Sequence, residues 1–219
     1  MRELAPGLHV ADQEVKFLGI EMGTRMTILN LDGQLLVHSP IDVDPSSVAH
    51  LGEPRWVIAP NKLHHLFVAP WVEAGLEGWA APGLPEKRAD VDFHGVFDAD
   101  GKSPFGPDVD VLPMRCMPAV NEVVLFHRPS RTLILSDLLF NFPPTAPWAT
   151  RAFMRLFGAH PGCRASHLER LTMKRDIARA ELGRILEWDF ERVILAHGDI
   201  LESGGPHALR AAYHWLDLS

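Results

Sequence analysis

Apolar residues in this chain come in short runs separated by turn signals. Leu8 to Val10, Val15 to Ile20, Arg25 to Leu31 and Gln34 to His38 are brief segments rich in branched side chains, the pattern of half-buried strands. Asp32-Gly33 between the last two is a two-residue hairpin signal, because the favoured turn needs positive φ at both central positions. The pattern predicts an antiparallel meander. It runs out at Ser39-Pro40, and Asp44-Pro45-Ser46-Ser47 then offers an N-cap with proline at the first helical position. A short helix over Pro45 to Leu51, ended by Gly52, is the expectation.

Trp56 to Ala59 is the apolar run around which the rest is organised. It is long enough for a buried strand; Pro60 blocks further ladder pairing, and Asn61 can cap a helix. Lys62 to Leu76, carrying the adjacent pair His64 and His65, reads as helical with a kink or break near Ala69 imposed by Pro70. From Gly78 to Pro113 the chain is dense in Gly, Pro and Asp, so loops dominate, with short strand candidates at Gly78 to Ala80, Val91 to Val96 and Val109 to Met114. Glu122 to His127 and Arg131 to Leu135 are then joined by Arg128-Pro129-Ser130 into a hairpin whose second strand delivers Asp137. Pro143, Pro144 and Pro147 make an extended entry to a helix over Trp148 to Phe157, laid over the core. A longer amphipathic helix, Met173 to Trp188, covers a sheet. Strand Arg192 to Ala196 follows, then Gly204-Gly205 and a terminal helix from Pro206 to Leu218.

Three of these strands end on polar groups: the turn with His64 and His65, Ser136-Asp137, and His197-Gly198-Asp199. If the strands share one core, His64, His65, Asp137 and His197 converge. Alternating β and α with hairpins in each half predicts a layered α/β domain over residues 1–219 rather than a purely parallel, doubly wound one.

Composition narrows the partners. With 219 residues, 47% hydrophobic and 22% charged, the chain can bury a sizeable core. A net charge of −7 without any run of Lys or Arg argues against nucleic acid or an anionic membrane. A small-molecule substrate or ligand, or another protein, is expected instead. Cys116 and Cys163 are too few for a disulfide scaffold or a Cys-based zinc knuckle. The N-terminus has no apolar signal core and no segment approaches the ~20 apolar residues of a membrane span, so a cytoplasmic location is expected.

The order strand-turn-His64-His65, then strand-Ser136-Asp137-Leu138-Leu139-Phe140, then strand-Ala196-His197-Gly198-Asp199 resembles the metallo-β-lactamase superfamily. Pro60-Asn61-x-x-His64-His65 and Ser136-Asp137-Leu138-x-Phe140-Asn141 are most similar to an uncharacterised branch of it. The resemblance implies a four-layer αββα sandwich with metals at one edge, on loops that follow the strands. Laid on the family's His-x-His-x-Asp-His, this chain offers Pro60, Lys62, His64 and His65. The isolated histidine expected near Pro118 to Asn121 is absent, while Asp137 and His197 match the bridging aspartate and the last histidine. The first metal's histidines are therefore missing and the second metal's positions are kept.

What this implies is one divalent metal, zinc before iron or nickel, on His64, His65, Asp137 and His197. Asp137 would orient a water, and Lys62 would hold an anionic substrate group or stabilise developing negative charge. The activity implied is hydrolysis of an ester, lactone, thioester or phosphodiester. The alternative is a non-catalytic, metal-free descendant that binds a small ligand or a protein partner. His38 is either a brace for the site or purely structural, and Cys116 either a substitute ligand or an inert buried thiol.

Overall fold

The structure, a computed structural model, describes residues 1–98 and 103–218. It opens with β1 (Arg2–Ala5) and β2 (Leu8–Gln13), followed by a separate small hairpin of β3 (Lys16–Phe17) and β4 (Ile20–Glu21). Then come β5 (Thr24–Leu31), β6 (Gln34–His38), β7 (Glu53–Ala59), β8 (Glu77–Ala80) and β9 (Gly95–Val96). These join β1 and β2 in one sheet of order β1-β2-β5-β6-β7-β8-β9. Pairing is antiparallel as far as β6 and parallel from β6 to β9. A second sheet is ordered β10 (Val109–Pro113), β11 (Val123–His127), β12 (Thr132–Ile134) and β13 (Arg192–Ile194). Only its β12–β13 pair is parallel.

Alternation along each strand decides the layers, since successive side chains point to opposite faces. Leu8, Val10, Leu29, Leu36 and Ile58 of the first sheet pack on Val109, Val111, Val123, Leu125, Ile134 and Ile194 of the second. The other face of the first sheet, with Ile28, Val37 and Val57, is covered by Val48 of a 3₁₀ helix (Pro45–Leu51) and Trp71 of α1 (Ala69–Glu73). The outer face of the second sheet, with Val124, Leu133 and Val193, meets Leu182 and Ile185 of α4 (Arg175–Leu186) and Leu209 of α5 (Gly205–Ala212). The result is the four-layer αββα sandwich. Between β12 and α4, α2 (Trp148–Leu156) and α3 (His167–Thr172) form an insertion whose Thr150 Oγ1 donates to Glu21 O of the small hairpin at 2.7 Å. Among the described residues no helix is long and apolar enough to cross a membrane.

The structure departs from the sequence expectations at several points: of Val91 to Val96 only Gly95–Val96 is strand, and the terminal helix ends at Ala212 before a 3₁₀ turn (His214–Leu216). Val15 to Ile20 is not one strand but folds back on itself through Leu18 (φ 50°) and Gly19 (φ 81°). Lys62 to Phe67 is not helical: Asn61 Oδ1 accepts from the Leu63 and His64 N–H groups at 2.8 and 2.7 Å, and the chain leaves that cap as a series of turns. Helix begins only at Ala69, so Pro70 sits in a first turn, where its missing N–H costs nothing, and kinks no longer helix. Finally, α3 is an extra helix. Its start is a capping box in which Ser166 and Glu169 each bond the other's backbone N–H.

Candidate functional site

Parallel pairing places the C-terminal ends of β6, β7, β12 and β13 along one edge, and the residues just beyond them meet there. His64 follows β7, Asp137 follows β12 and His197 follows β13. Their ligand atoms form a triangle: His64 Nε2 to His197 Nε2 is 3.2 Å, His197 Nε2 to Asp137 Oδ1 is 3.3 Å, and His64 Nε2 to Asp137 Oδ1 is 3.5 Å. Their side chains are only 9–13% exposed. Among the described residues this is the one group of three or more His, Cys, Asp or Glu that could hold an ion.

Each corner of the triangle is fixed from behind. His197 Nδ1 lies 2.8 Å from the carbonyl of Gly23; a carbonyl can only accept, so Nδ1 carries a proton and the ring is oriented with Nε2 toward the centre. His64 Nδ1 lies 3.0 Å from Ser39 Oγ, and Ser39 is held at φ 54°, an uncommon conformation for a residue other than glycine. Asp137 Oδ2 accepts from Asn61 Nδ2 at 2.7 Å, and its backbone N–H donates to Glu122 Oε2 at 2.7 Å. Glu122 Oε1 accepts from Ser136 N–H at 2.6 Å. One buried carboxylate thus straps the turn that presents another. Burial and the charge of Asp137 push the Glu122 carboxyl up to about 7, against the pull of the amides it accepts from. Burial would also raise Asp137, but the two imidazoles outweigh it and hold its carboxyl well below the usual range. For His197, burial opposes the charged form, yet the bond to Asp137 and its charge raise the imidazole above its ordinary value.

Arg25 braces the third corner from the other sheet. Its guanidinium donates to Leu195 O at 2.7 Å and Gly198 O at 2.9 Å, and pairs with Asp12 at 2.6 Å. Gly198 (φ 89°) is required here, because a Cβ would collide with the Asn141 carbonyl. Asn141 in turn takes the His197 carbonyl at 3.2 Å. His38 is buried behind His64; burial, then the charge of His64, pushes it down to about 3, so it stays neutral.

Two residues expected to act with the triangle are not part of it, although His65 lines the cavity above it. His65 lies outside the triangle: its Nδ1 is 3.1 Å from Arg88 Nη1, which also donates to the His65 carbonyl at 2.6 Å. The Asn61 cap turns His64 inward, while Arg88 holds the His65 ring and carbonyl. Lys62 does not line the cavity above the triangle; its ammonium donates to Pro118 O at 3.1 Å and its N–H to Val120 O at 2.9 Å. Cys116 is a fully buried thiol, pushed well up by burial and by Glu181, and belongs to the core. Glu122 and Arg25 had no sequence signal beyond their type. Asn61 stood in the Pro-Asn-x-x-His-His segment, but only its contact with Asp137 shows its use.

Above the triangle lies a cavity of about 450 Å³. Its walls come from the β3–β4 hairpin, the Leu63–Phe67 turn and the α2–α3 insertion, and they are mostly apolar. Phe140 stacks on His197 at 5.7 Å between ring centroids.

Solved structures share this architecture at low sequence identity. The metallo-β-lactamase FIM-1 from Pseudomonas aeruginosa, in its mono-zinc form, aligns with a TM-score of 0.65 at 11% identity over 98% of this chain and 93% of that one. A metallo-β-lactamase from Hirschia baltica gives 0.67 at 12% identity, covering 98% and 96%. One from Erythrobacter litoralis, with beta-mercaptoethanol in the active site, gives 0.68 at 11% identity, covering 99% and 95%. No protein-family model and no curated protein sequence matches the chain. At these identities the likeness establishes the fold.

Proposed function

We propose that this chain of metallo-β-lactamase fold is a hydrolase that uses one divalent metal, zinc before iron or nickel, on an ester, lactone, thioester or phosphodiester. The observation that supports this is the triangle of ligand atoms. Its edges of 3.2, 3.3 and 3.5 Å match the edge of about 3.3–3.4 Å that a tetrahedron has when its bonds are ~2.0–2.1 Å. Two neutral imidazoles and a carboxylate suit zinc and the borderline transition metals, and three protein ligands with one position open is the pattern of catalytic rather than structural sites.

When bound, such an ion supplies Lewis acidity and lowers the pKa of water toward neutrality. The chain's own residues prepare the rest. Gly23 O and Ser39 Oγ fix the two imidazoles with Nε2 facing the centre. Asn61 and Glu122 hold Asp137 so that Oδ2 is occupied and Oδ1 is left to the centre or to orient the attacking water. The burial of the three ligand side chains, 9–13% exposed, strengthens every charge interaction among them.

A ligand-binding protein without catalysis is the second reading. It is favoured by the neighbouring corner, where Lys62 and the 118–120 turn are bonded to each other at the positions that resemble the family's first-metal ligands. The test is metal analysis of protein purified without chelator or nickel resin, followed by a panel of the four substrate classes. One equivalent of metal and turnover that is abolished by chelation are expected. Absence of any bound divalent ion, or rates equal to the chelated control on the whole panel, would replace the hydrolase with the binding protein.

A further inference from the structure

We propose that the ligand of this site carries a long unbranched acyl chain, joined as an ester or thioester whose carbonyl sits over His64, Asp137 and His197. The chemistry rests on the hydrolase reading above; the chain-binding does not. Water's oxygen bonds to the acyl carbon and the acyl C–O or C–S bond breaks. The alcohol or thiol leaves with one proton of the water, and the other is released as the acid ionises.

The cavity is predominantly apolar. Its polar triangle is nearly buried, while Phe17 of the hairpin, Leu63 and Leu66 of the turn, and Phe153, Phe157 and Leu168 of the insertion line it, with Lys16, Lys87 and His65 as the charged or titratable groups beside them. A small polar substrate would leave those walls unpaired, whereas an acyl chain pairs with them and still places a carbonyl at the floor. The large apolar side chains left in solvent point the same way. Of the eleven large exposed ones among the described residues, nine lie in these three segments, so the surplus of apolar surface is local to the cavity rather than spread over the molecule. The insertion is itself built to hold its position, with Phe153 and Phe157 in ring contact at 4.8 Å and Met154 packed with Phe142 and Ala159.

The test measures binding before turnover. A fluorescent fatty acid is displaced from metal-free and metal-loaded protein by carboxylates from butanoate to dodecanoate, and p-nitrophenyl esters of the same acids are then assayed with the loaded protein. Each added methylene should tighten Kd about 3- to 4-fold until the cavity is filled, the equivalent of ~0.8 kcal/mol per buried methylene, and KM should follow. Leu66→Asp and Phe157→Asp change side chains that line the cavity yet are 62% and 36% exposed, so they should fold and flatten that slope. Leu171→Asp, 82% exposed and outside the lining, should leave it unchanged. Steep chain-length dependence in binding with no ester turned over supports the acyl-chain ligand and defeats the hydrolase reading. Turnover with Kd and KM independent of length defeats the acyl chain and leaves the hydrolase. A slope that Leu171→Asp flattens equally marks surface adsorption and overturns the proposal.

Discussion

Two corners of one sheet edge, a few residues apart in sequence, have taken opposite courses. In the corner of Lys62 the polar groups bond to one another: Lys62 N–H and Nζ bond the 118–120 turn, Val123 N–H bonds Pro60 O at 2.8 Å, and Asn121 Nδ2 bonds Pro82 O at 2.7 Å. In the corner of His64, two imidazole nitrogens and a carboxylate oxygen face one another within 3.5 Å. Three such groups suit a shared cation or proton at their centre. The first corner has become ordinary structure. The second still converges three ligand-type atoms on one point, and supports from Gly23, Ser39, Asn61, Glu122 and Arg25 hold them in place.

The sharpest way to break the comparison is Asp137→Ala. It should weaken metal binding by more than the roughly 10–100-fold that loss of an outer support costs, and His64→Ala and His197→Ala should match it in equilibrium dialysis. Retention of an equivalent of metal by all three would show that the triangle is not a ligand set. Next comes Glu122→Gln, which offers one acceptor and one donor to two backbone N–H groups. A metal affinity lowered about 10–100-fold, with a loss of ~1.5–3 kcal/mol in urea unfolding of the metal-free protein, is the expected result. Arg25→Met leaves the Leu195 and Gly198 carbonyls without their donor and should cost about 2–3 kcal/mol in the same unfolding assay.

The other corner predicts small effects. Lys62→Ala and His65→Ala should each change stability by about 1 kcal/mol or less and leave the metal equivalent intact. A metal loss in His65→Ala would return that residue to the ligand set. A separate effect lies far from both corners and concerns pH. Burial raises Glu169 well above its ordinary 4.5. A raised folded-state value means a contribution to stability that is fully present below the unfolded value and is lost as pH rises through the folded one. Glu169→Gln keeps a Ser-x-x-Gln capping box, so it should gain on wild type as unfolding is measured from about pH 5 to about pH 8. A constant difference across that range would show that Glu169 is not protonated in the fold.

Much of the fold was legible from local pattern. Asp32-Gly33 turns with φ of 51° and 88°, Asp44 caps the 3₁₀ helix through Ser46 N–H at 2.8 Å, and the hairpin of β11 and β12 lies where the sequence placed it. The capping box of α3 was also present in Ser166 to Glu169 as a signal that composition in that region obscured. The Lys62–Phe67 segment misled because a cap residue and apolar spacing look alike whether the chain continues as helix or as turns. Tertiary bonds from Lys62 to Val120 and from Asn61 to Asp137 decided it.

By itself, the sequence determined the strands, hairpins and general layered α/β character, and the placing of polar residues at strand ends, because period-two burial and turn chemistry are local and survive in any context. Only the tertiary structure decided that His64 rather than His65 faces Asp137, that a glutamate opening a strand straps the site from beneath, and that an arginine of one sheet holds the loop of the other. Those choices depend on donors and acceptors brought together from residues as far apart as 133 and 170 positions, and no local periodicity carries the direction in which a side chain leaves a turn.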